Sequence, residues 1–294
     1  MAHISSYEGI FTAICIVIIL AIVFNLNKSR GTLKPKPKDL GFTELAPGQD
    51  PIVDIVAIHG LDGHREEAWT SEDGTMWLRD LLPSDLPNAR ILSYGYDADT
   101  RSFAYTSTQT IFRHAEGFAE ELWQRRRAHP KALAICHRDD TQSDRELRDI
   151  TDSTLAVMYF GTPHSGANGV QLAQWMGRLL SVYMYTNNRV LKDLDRDSAD
   201  LESIQRIYLS ASQRINTVFF YEEYHTPLFG GMKELIVPRH LAVVQGDSRA
   251  RVAVLHADHC QMVKFSGRDD NNYRKVIEYL AEWMEKATAT AQET

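Results

Sequence analysis

The sequence predicts an α/β domain on a mostly parallel sheet flanked by helices, carried behind one N-terminal membrane-spanning helix. Three observations predict it. Short β-branched runs alternate with amphipathic stretches between residues 52 and 286, the pattern of parallel strands joined by crossover helices. Several of those runs end in Gly, His or Glu, the residue types that build sites beyond the carboxyl ends of open sheets. Finally, the run IFTAICIVIILAIVFNL, Ile10 to Leu26, contains no charged residue.

Composition sets the class. At 294 residues the chain is long enough for one large domain or two small ones, and 44% hydrophobic with 24% charged residues is ordinary globular composition. A net charge of -7, with no Lys/Arg stripe interleaved with aromatics, argues against a nucleic-acid partner. Cys15, Cys136 and Cys260 are odd in number and share no metal-ligand spacing. They read as reduced thiols, so neither a disulfide framework nor a metal site is expected.

Taken in order, residues 1–27 are read as a membrane anchor with its span at about 9–26, at the lower limit for crossing a hydrocarbon core of about 30 Å. A cleaved signal peptide would want positive charge before the apolar run and a small-x-small site after it. Here Glu8 precedes the run and Asn25, Leu26 and Asn27 close it. Lys28, Arg30, Lys34, Lys36 and Lys38 all follow, which places the body in the cytosol by the positive-inside rule. An interfacial or buried helix is the other reading of the run. Residues 28–51, containing KPKPKD, read as a basic, Pro-rich linker lying near anionic headgroups.

The domain proper is placed at 52–286. VDIVAIHG (53–60) and ARILSYGYD (89–97) are expected strands, with a helical stretch around Trp77, Leu78, Leu81 and Leu82 between them. From Thr108 to Arg127, Ile111, Ala115, Phe118, Ala119 and Leu122 recur at three and four residues, an amphipathic helix facing a sheet. LAVMYFGTPH (155–164) and INTVFFYEE (215–223) are further strands, separated by a largely helical insert that includes VQLAQWMGRLL. VAVLHADH ends in a loop. NYRKVIEYLAEWMEKA closes the domain as a helix with Val276, Ile277, Leu280 and Met284 on one face, capped by Asp269 or Asp270. Residues 287–294 are expected to be a disordered tail.

Chemistry is expected just past the strand ends. His59-Gly60-Leu61-Asp62-Gly63-His64 follows the first strand, where small residues can turn backbone N–H groups toward a carbonyl oxygen; a plain Gly-rich turn is the alternative. Glu222 and Glu223 follow the 215–223 strand, and His259 follows the last, with His256 as its near rival. Acid before histidine is the chain order of the last two members of a hydrolase triad. In that mechanism the imidazole takes the serine proton, while the carboxylate fixes its tautomer.

Four stretches in order, IVAIHGLDGHREEAWT, MWLRDLLPSDLPNARILSYGYDA, VMYFGTPHSG and ADHCQMVKFSGRDD, resemble successive motifs of one family. This is the lipase-like α/β-hydrolase family of the serine active-site-containing protein, also found as N-terminal domains of fungal NACHT-type receptors. The resemblance covers roughly residues 52 to 285. It implies an α/β-hydrolase-like fold with His59, Gly60 and Leu61 on the oxyanion-hole motif, His259 as catalytic histidine and Glu222 as the acid. It places FGTPH, with His164, beside the site. It also implies an ester or lipid-like ligand and no cofactor.

One interval departs from that pattern. Between the amphipathic helix and FGTPH the family has a strand, a Gly-x-Ser-x-Gly elbow and a helix, which need about 30 residues or more. Residues 131–154 are all that fill it here, and the chain contains no Gly-x-Ser-x-Gly. KALAICH resembles the remnant of the helix that follows the elbow, so the central nucleophile strand is expected to be deleted along with the serine. The first and second strands are then expected to pair across the gap, with KALAIC as a possible filler. Ser165 is a weak substitute nucleophile, since Pro163 stands where an elbow has Gly; Cys136 is another, crowded by Arg138. The expectation is a single-pass membrane pseudoenzyme of serine-esterase lineage, or a truncated variant of an active ester or lipid hydrolase. A non-catalytic membrane-tethered binding or adaptor protein is the alternative. The endoplasmic reticulum and the outer mitochondrial membrane are equally open as locations.

Overall fold

The structure is a computed structural model. It describes residues 39–60, 63–98, 111–127, 150, 152–164, 208–209, 213–228, 231–244 and 246–293. Helices and parallel strands alternate within them, so the chain is a mixed α/β protein. Strands β1 (Gly41–Ala46), β2 (Val53–Ile58) and β3 (Ala89–Gly95) form one sheet in the order β1-β3-β2. Strands β4 (Ala156–Phe160), β5 (Asn216–Glu222) and β8 (Arg251–Leu255) form a second in that order. A two-stranded ladder, β6 (Thr226–Pro227) with β7 (Lys233–Glu234), lies between β5 and β8 in sequence.

Alternation explains how the first sheet is covered. On β3, Ala89 and Ile91 join one apolar cluster, while Leu92 and Tyr94 join another. The short helices α1 (Trp77–Asp80) and α2 (Leu82–Asp85) bring Trp77, Leu78 and Leu82 to the first face. Helix α3 (Ile111–Arg127) brings Phe118 and Leu122 to the second, as its three-and-four spacing predicts. After a short helix α4 (Arg239–Ala242), the closing helix α5 (Asn271–Glu293) sends Tyr273, Val276 and Trp283 into the same cluster as Ile91, Val218 and Phe220. One core therefore serves both sheets. Trp77 fastens it, its ring 5.1 Å from Phe265 and its indole N–H donating to the Val263 carbonyl at 2.9 Å.

Several expectations change. β1 falls within residues 28–51, read above as linker; it pairs antiparallel with β3, Phe42 opposite Tyr94. Helix α5 runs to Glu293, through most of the stretch 287–294 expected to be tail. Of the two candidate caps, Asp270 is the one used, accepting from the Asn272 N–H at 2.8 Å, while Asp269 pairs with Arg274. The first and second expected strands, β2 and β3, do pair in parallel. Among the described residues β2 has a partner on one side only, β3, so this pairing does not cross a gap. Among the described residues no helix is long and apolar enough to cross a membrane. The apolar run Ile10 to Leu26, the insert containing VQLAQWMGRLL, and KALAICH lie outside the described residues.

Burial separates inner from outer strands. β3 is buried at all seven positions and β5 at five of seven. β2 has one buried residue, Ala57, and β4 has none. Central-strand composition (VDIVAI, AVMYF) thus sits on strands covered like edges.

Candidate acid–base site

The site forms where β5 and β8 end. Glu222 is the last residue of β5, with its side chain fully buried. One carboxylate oxygen, Oε1, accepts from the backbone N–H groups of Ile236 and Val237, the latter at 3.0 Å. The other, Oε2, lies 2.9 Å from Nδ1 of His259 in the loop after β8. A carboxylate cannot donate, so Nδ1 carries the proton and donates to Glu222. The His259 Nε2 is then a lone-pair acceptor, and among the described residues nothing is bonded to it. The backbone N–H of His259 donates to Thr226 Oγ1 at 3.1 Å, so the β6 residue fixes the loop that carries the ring. This is the arrangement in which an imidazole accepts a proton from a nucleophile and a buried carboxylate steadies the imidazolium.

The rival pairing is resolved by burial. His256 Nδ1 and Glu223 Oε2 also meet, but both side chains are about half exposed. The two adjacent acids therefore diverge, Glu222 inward to His259 and Glu223 outward to His256.

Within the FGTPH stretch, Gly161 is the residue that meets the pair. It follows β4 with φ +53, and a Cβ there would lie 2.8 Å from Met262 Sδ and 2.9 Å from His259 Nδ1. Only glycine fits both the backbone conformation and the approach of the imidazole. The FGTPH stretch thus touches the pair through its glycine. His164, at its other end, is packed edge-on to Tyr159 and Phe219, and burial pushes its imidazole down to about 4. Its Nε2 is buried and, among the described residues, without a hydrogen-bond partner.

His59, the first residue of the expected oxyanion-hole motif, is packed at the end of β2. Its ring is buried and stacked on Tyr96 at 4.6 Å. The Tyr96 N–H donates to its Nε2 at 3.3 Å, so the proton lies on Nδ1, 2.9 Å from the Gly60 carbonyl. Burial lowers its pKa, opposed by the smaller effect of the Gly60 hydrogen bond. Both ring nitrogens are occupied, so the side chain ties the turn to the Tyr96 backbone. The Gly60 carbonyl also accepts from the Gly63 N–H at 3.1 Å, closing that turn. Leu61, Ser165 and Cys136 lie outside the described residues, as does any elbow. No cluster of His, Cys, Asp and Glu among the described residues could hold a metal ion.

The comparisons with known proteins are distant. The chain is 23% identical to Protein SERAC1 of Danio rerio over 295 aligned positions, 86% of this chain and 43% of that protein. It is 22% identical to Protein SERAC1 of Homo sapiens over 298 positions, 88% of this chain and 44% of that one. The Mus musculus protein of the same name is 23% identical over 294 positions. The chain therefore spans less than half the length of the curated relatives it matches. No family model matches it. No solved structure matches it either.

Proposed function

We propose that this chain is a membrane-tethered protein of α/β-hydrolase fold and serine-esterase lineage, and that it holds an ester or lipid-like ligand without turning it over. The observation that carries the reading is the Glu222–His259 pair: a buried acid, an imidazole oriented through Nδ1, and an Nε2 bonded to nothing among the described residues. The motif resemblance and the distant homology to SERAC1 proteins support the lineage.

The chemistry follows from what is present and what the sequence lacks. His259 Nε2 can accept a proton or a hydrogen bond, and Glu222 compensates the charge that results. Acyl transfer also needs an oxygen or sulfur nucleophile within about 3 Å of that nitrogen, aimed at a carbonyl. An elbow supplies it by lifting a serine out of the sheet, and the chain contains no Gly-x-Ser-x-Gly. The usual route through an elbow serine is then closed, and the reading leaves the pair to orient a ligand or a water.

A second reading is favoured by one specific observation. Gly161, Thr226 and the Ile236 and Val237 amides still enclose a working geometry around His259, as suits a shortened version of an active hydrolase. Transcript sequence across the codons for Pro130 and Lys131 separates the two. A longer message encoding an elbow would establish the active enzyme. A direct join would leave the binding protein. In the protein as written, a fluorophosphonate probe is expected to leave no covalent label. Labelling that disappears in Ser165→Ala would sink the pseudoenzyme reading.

A further inference from the structure

Two histidines three residues apart leave one loop to meet two adjacent acids at one strand end. His259 turns inward to Glu222, and His256 turns outward to Glu223. The inner pair is the acid–base site itself. The outer pair is half exposed, a setting in which an ion pair adds little stability of its own, so its geometry is the informative part. β8 ends at Leu255, and the Ala257 N–H donates back to the Leu255 carbonyl at 2.9 Å, making a three-residue turn with His256 at its apex. The Glu223 N–H spans the mouth of that turn, donating to the Leu255 carbonyl at 3.1 Å and to the Ala257 carbonyl at 3.2 Å. The Tyr224 N–H adds a second bond to the Ala257 carbonyl at 3.1 Å. The apex is gripped from α5. Asn272 accepts from the His256 N–H through Oδ1 at 2.9 Å and donates to the His256 carbonyl through Nδ2 at 3.3 Å. Backbone N–H, backbone carbonyl and imidazole of His256 are thus all engaged, by two different elements. Past the turn, Asp258 Oδ1 accepts from the Cys260 and Gln261 N–H groups at 2.9 and 3.0 Å, and the His259 N–H reaches Thr226. The direction in which the chain leaves His256 therefore fixes where the His259 ring arrives.

We infer that Asn272 and Glu223 are positioning residues for His259: by clamping His256 they set the register in which the loop meets the end of β5, inner histidine on inner acid. The inference rests on the reading of Glu222–His259 as the working pair, and it names what holds that pair in place. A slip of one residue would offer Glu222 a second carboxylate, Asp258, or the Cys260 thiol in place of an imidazole. Asn272 suits the task because its amide carries both an acceptor and a donor, matching the N–H and the carbonyl of one residue; an aspartate could match only the first. Glu223 suits it because its backbone closes the turn while its side chain holds the apex. A ring that must stay oriented through a single Nδ1 bond depends on such support from the shell around it.

Asn272→Asp tests this with the fold held constant. The substitution keeps the shape and the acceptor, loses the donor, and sets a carboxylate against the His256 carbonyl. A negative charge in the first turn of α5 suits the helix dipole, so the urea midpoint is expected to be unchanged or higher. The readout is the His259 Nδ1–H proton, which its bond to Glu222 shields from solvent, followed by NMR on the full-length chain. Its exchange is expected to accelerate about tenfold or more in Asn272→Asp while the amides of β3 keep their protection. Glu223→Ala removes the side-chain bond and leaves the backbone ones, so an acceleration of about threefold or more is expected there. Exchange within about twofold of the unmodified chain in either variant would overturn the part assigned to that residue. So would a loss of β3 protection in Asn272→Asp, since Asn272 would then hold the fold at large and not the loop. No ligand enters the measurement. If an ester-like ligand fails to bind while the Nδ1–H responds as expected, the functional reading falls and the positioning role stands.

Discussion

Two buried N–H groups, those of Ile236 and Val237, end on a single oxygen of Glu222. Glu222→Ala would leave both donors unpaired and is expected to cost about 2–5 kcal/mol, read as a lower urea midpoint at unchanged slope. Gly161→Ala meets Met262 Sδ and His259 with a Cβ at a φ of +53, so a loss of about 1–3 kcal/mol and a displaced His259 imidazole resonance are expected. His164 gives the chain a pH dependence. Its folded imidazole is held down to about 4 by burial, against an ordinary 6.5, so between these values the unfolded chain binds more protons. Stability is therefore full above about pH 6.5 and declines as pH falls toward 4, by something on the order of 3 kcal/mol. His164→Phe, which keeps the aromatic packing and removes the orphaned Nε2, is expected to flatten urea midpoints between pH 4.5 and 7. Equal slopes in both proteins would count against it. At this scale the sequence was informative where a side chain does the work: acid and histidine at successive strand ends gave Glu222 and His259. It was silent where backbone does, because the Ile236 and Val237 amides carry no residue signature, and a glycine after a strand looks like any other.

Among the elements, β2 and β3 are tied by more than their ladder. Asp54 and Arg90 are paired positions, and their side chains meet in two hydrogen bonds of 2.8 and 2.7 Å, with Arg90 only 3% exposed. Asp54→Ala would strand a buried guanidinium and is expected to destabilise by about 3–5 kcal/mol. Replacing both residues by apolar ones of similar volume should cost far less, and a double mutant as unstable as the single one would refute that account of the pair. The longer elements were legible because their patterns are long enough to read: α3 and α5 show a sheet-facing stripe, β5 an apolar run of VFFY, and β3 a largely apolar run broken by Arg90 and Ser93. β1 was not, since GFTELA is short, half polar and preceded by KPKPKD, and only its pairing with β3 makes it a strand. β6 and β7, two residues each, have no period at all. Yet β6 supplies Thr226, which holds the His259 loop.

For the whole molecule, the sequence divides a run without charge from a body of ordinary globular composition, and the compact unit of the body begins at Lys38. Among the described residues, the core shared by both sheets is drawn from residues beyond that boundary. The apolar side chains of residues 1–37 gain nothing from water, and a hydrocarbon phase removes that cost for a stretch just long enough to span it. The full chain is accordingly expected to stay with the membrane pellet after alkaline carbonate extraction. A chain of residues 38–294 is expected in the supernatant, with the same urea midpoint and the same His259 resonance. A full chain that carbonate releases would refute the spanning helix and leave an interfacial one. A shortened chain that no longer folds would mean that the N-terminal run is part of the core. The basic cluster from Lys28 to Lys38 adds a graded effect, because each positive charge near an anionic surface contributes about 1 kcal/mol and is screened by salt. Replacing those lysines and Arg30 by glutamine should leave carbonate resistance intact while disturbing orientation, read as protease access to the body in sealed vesicles.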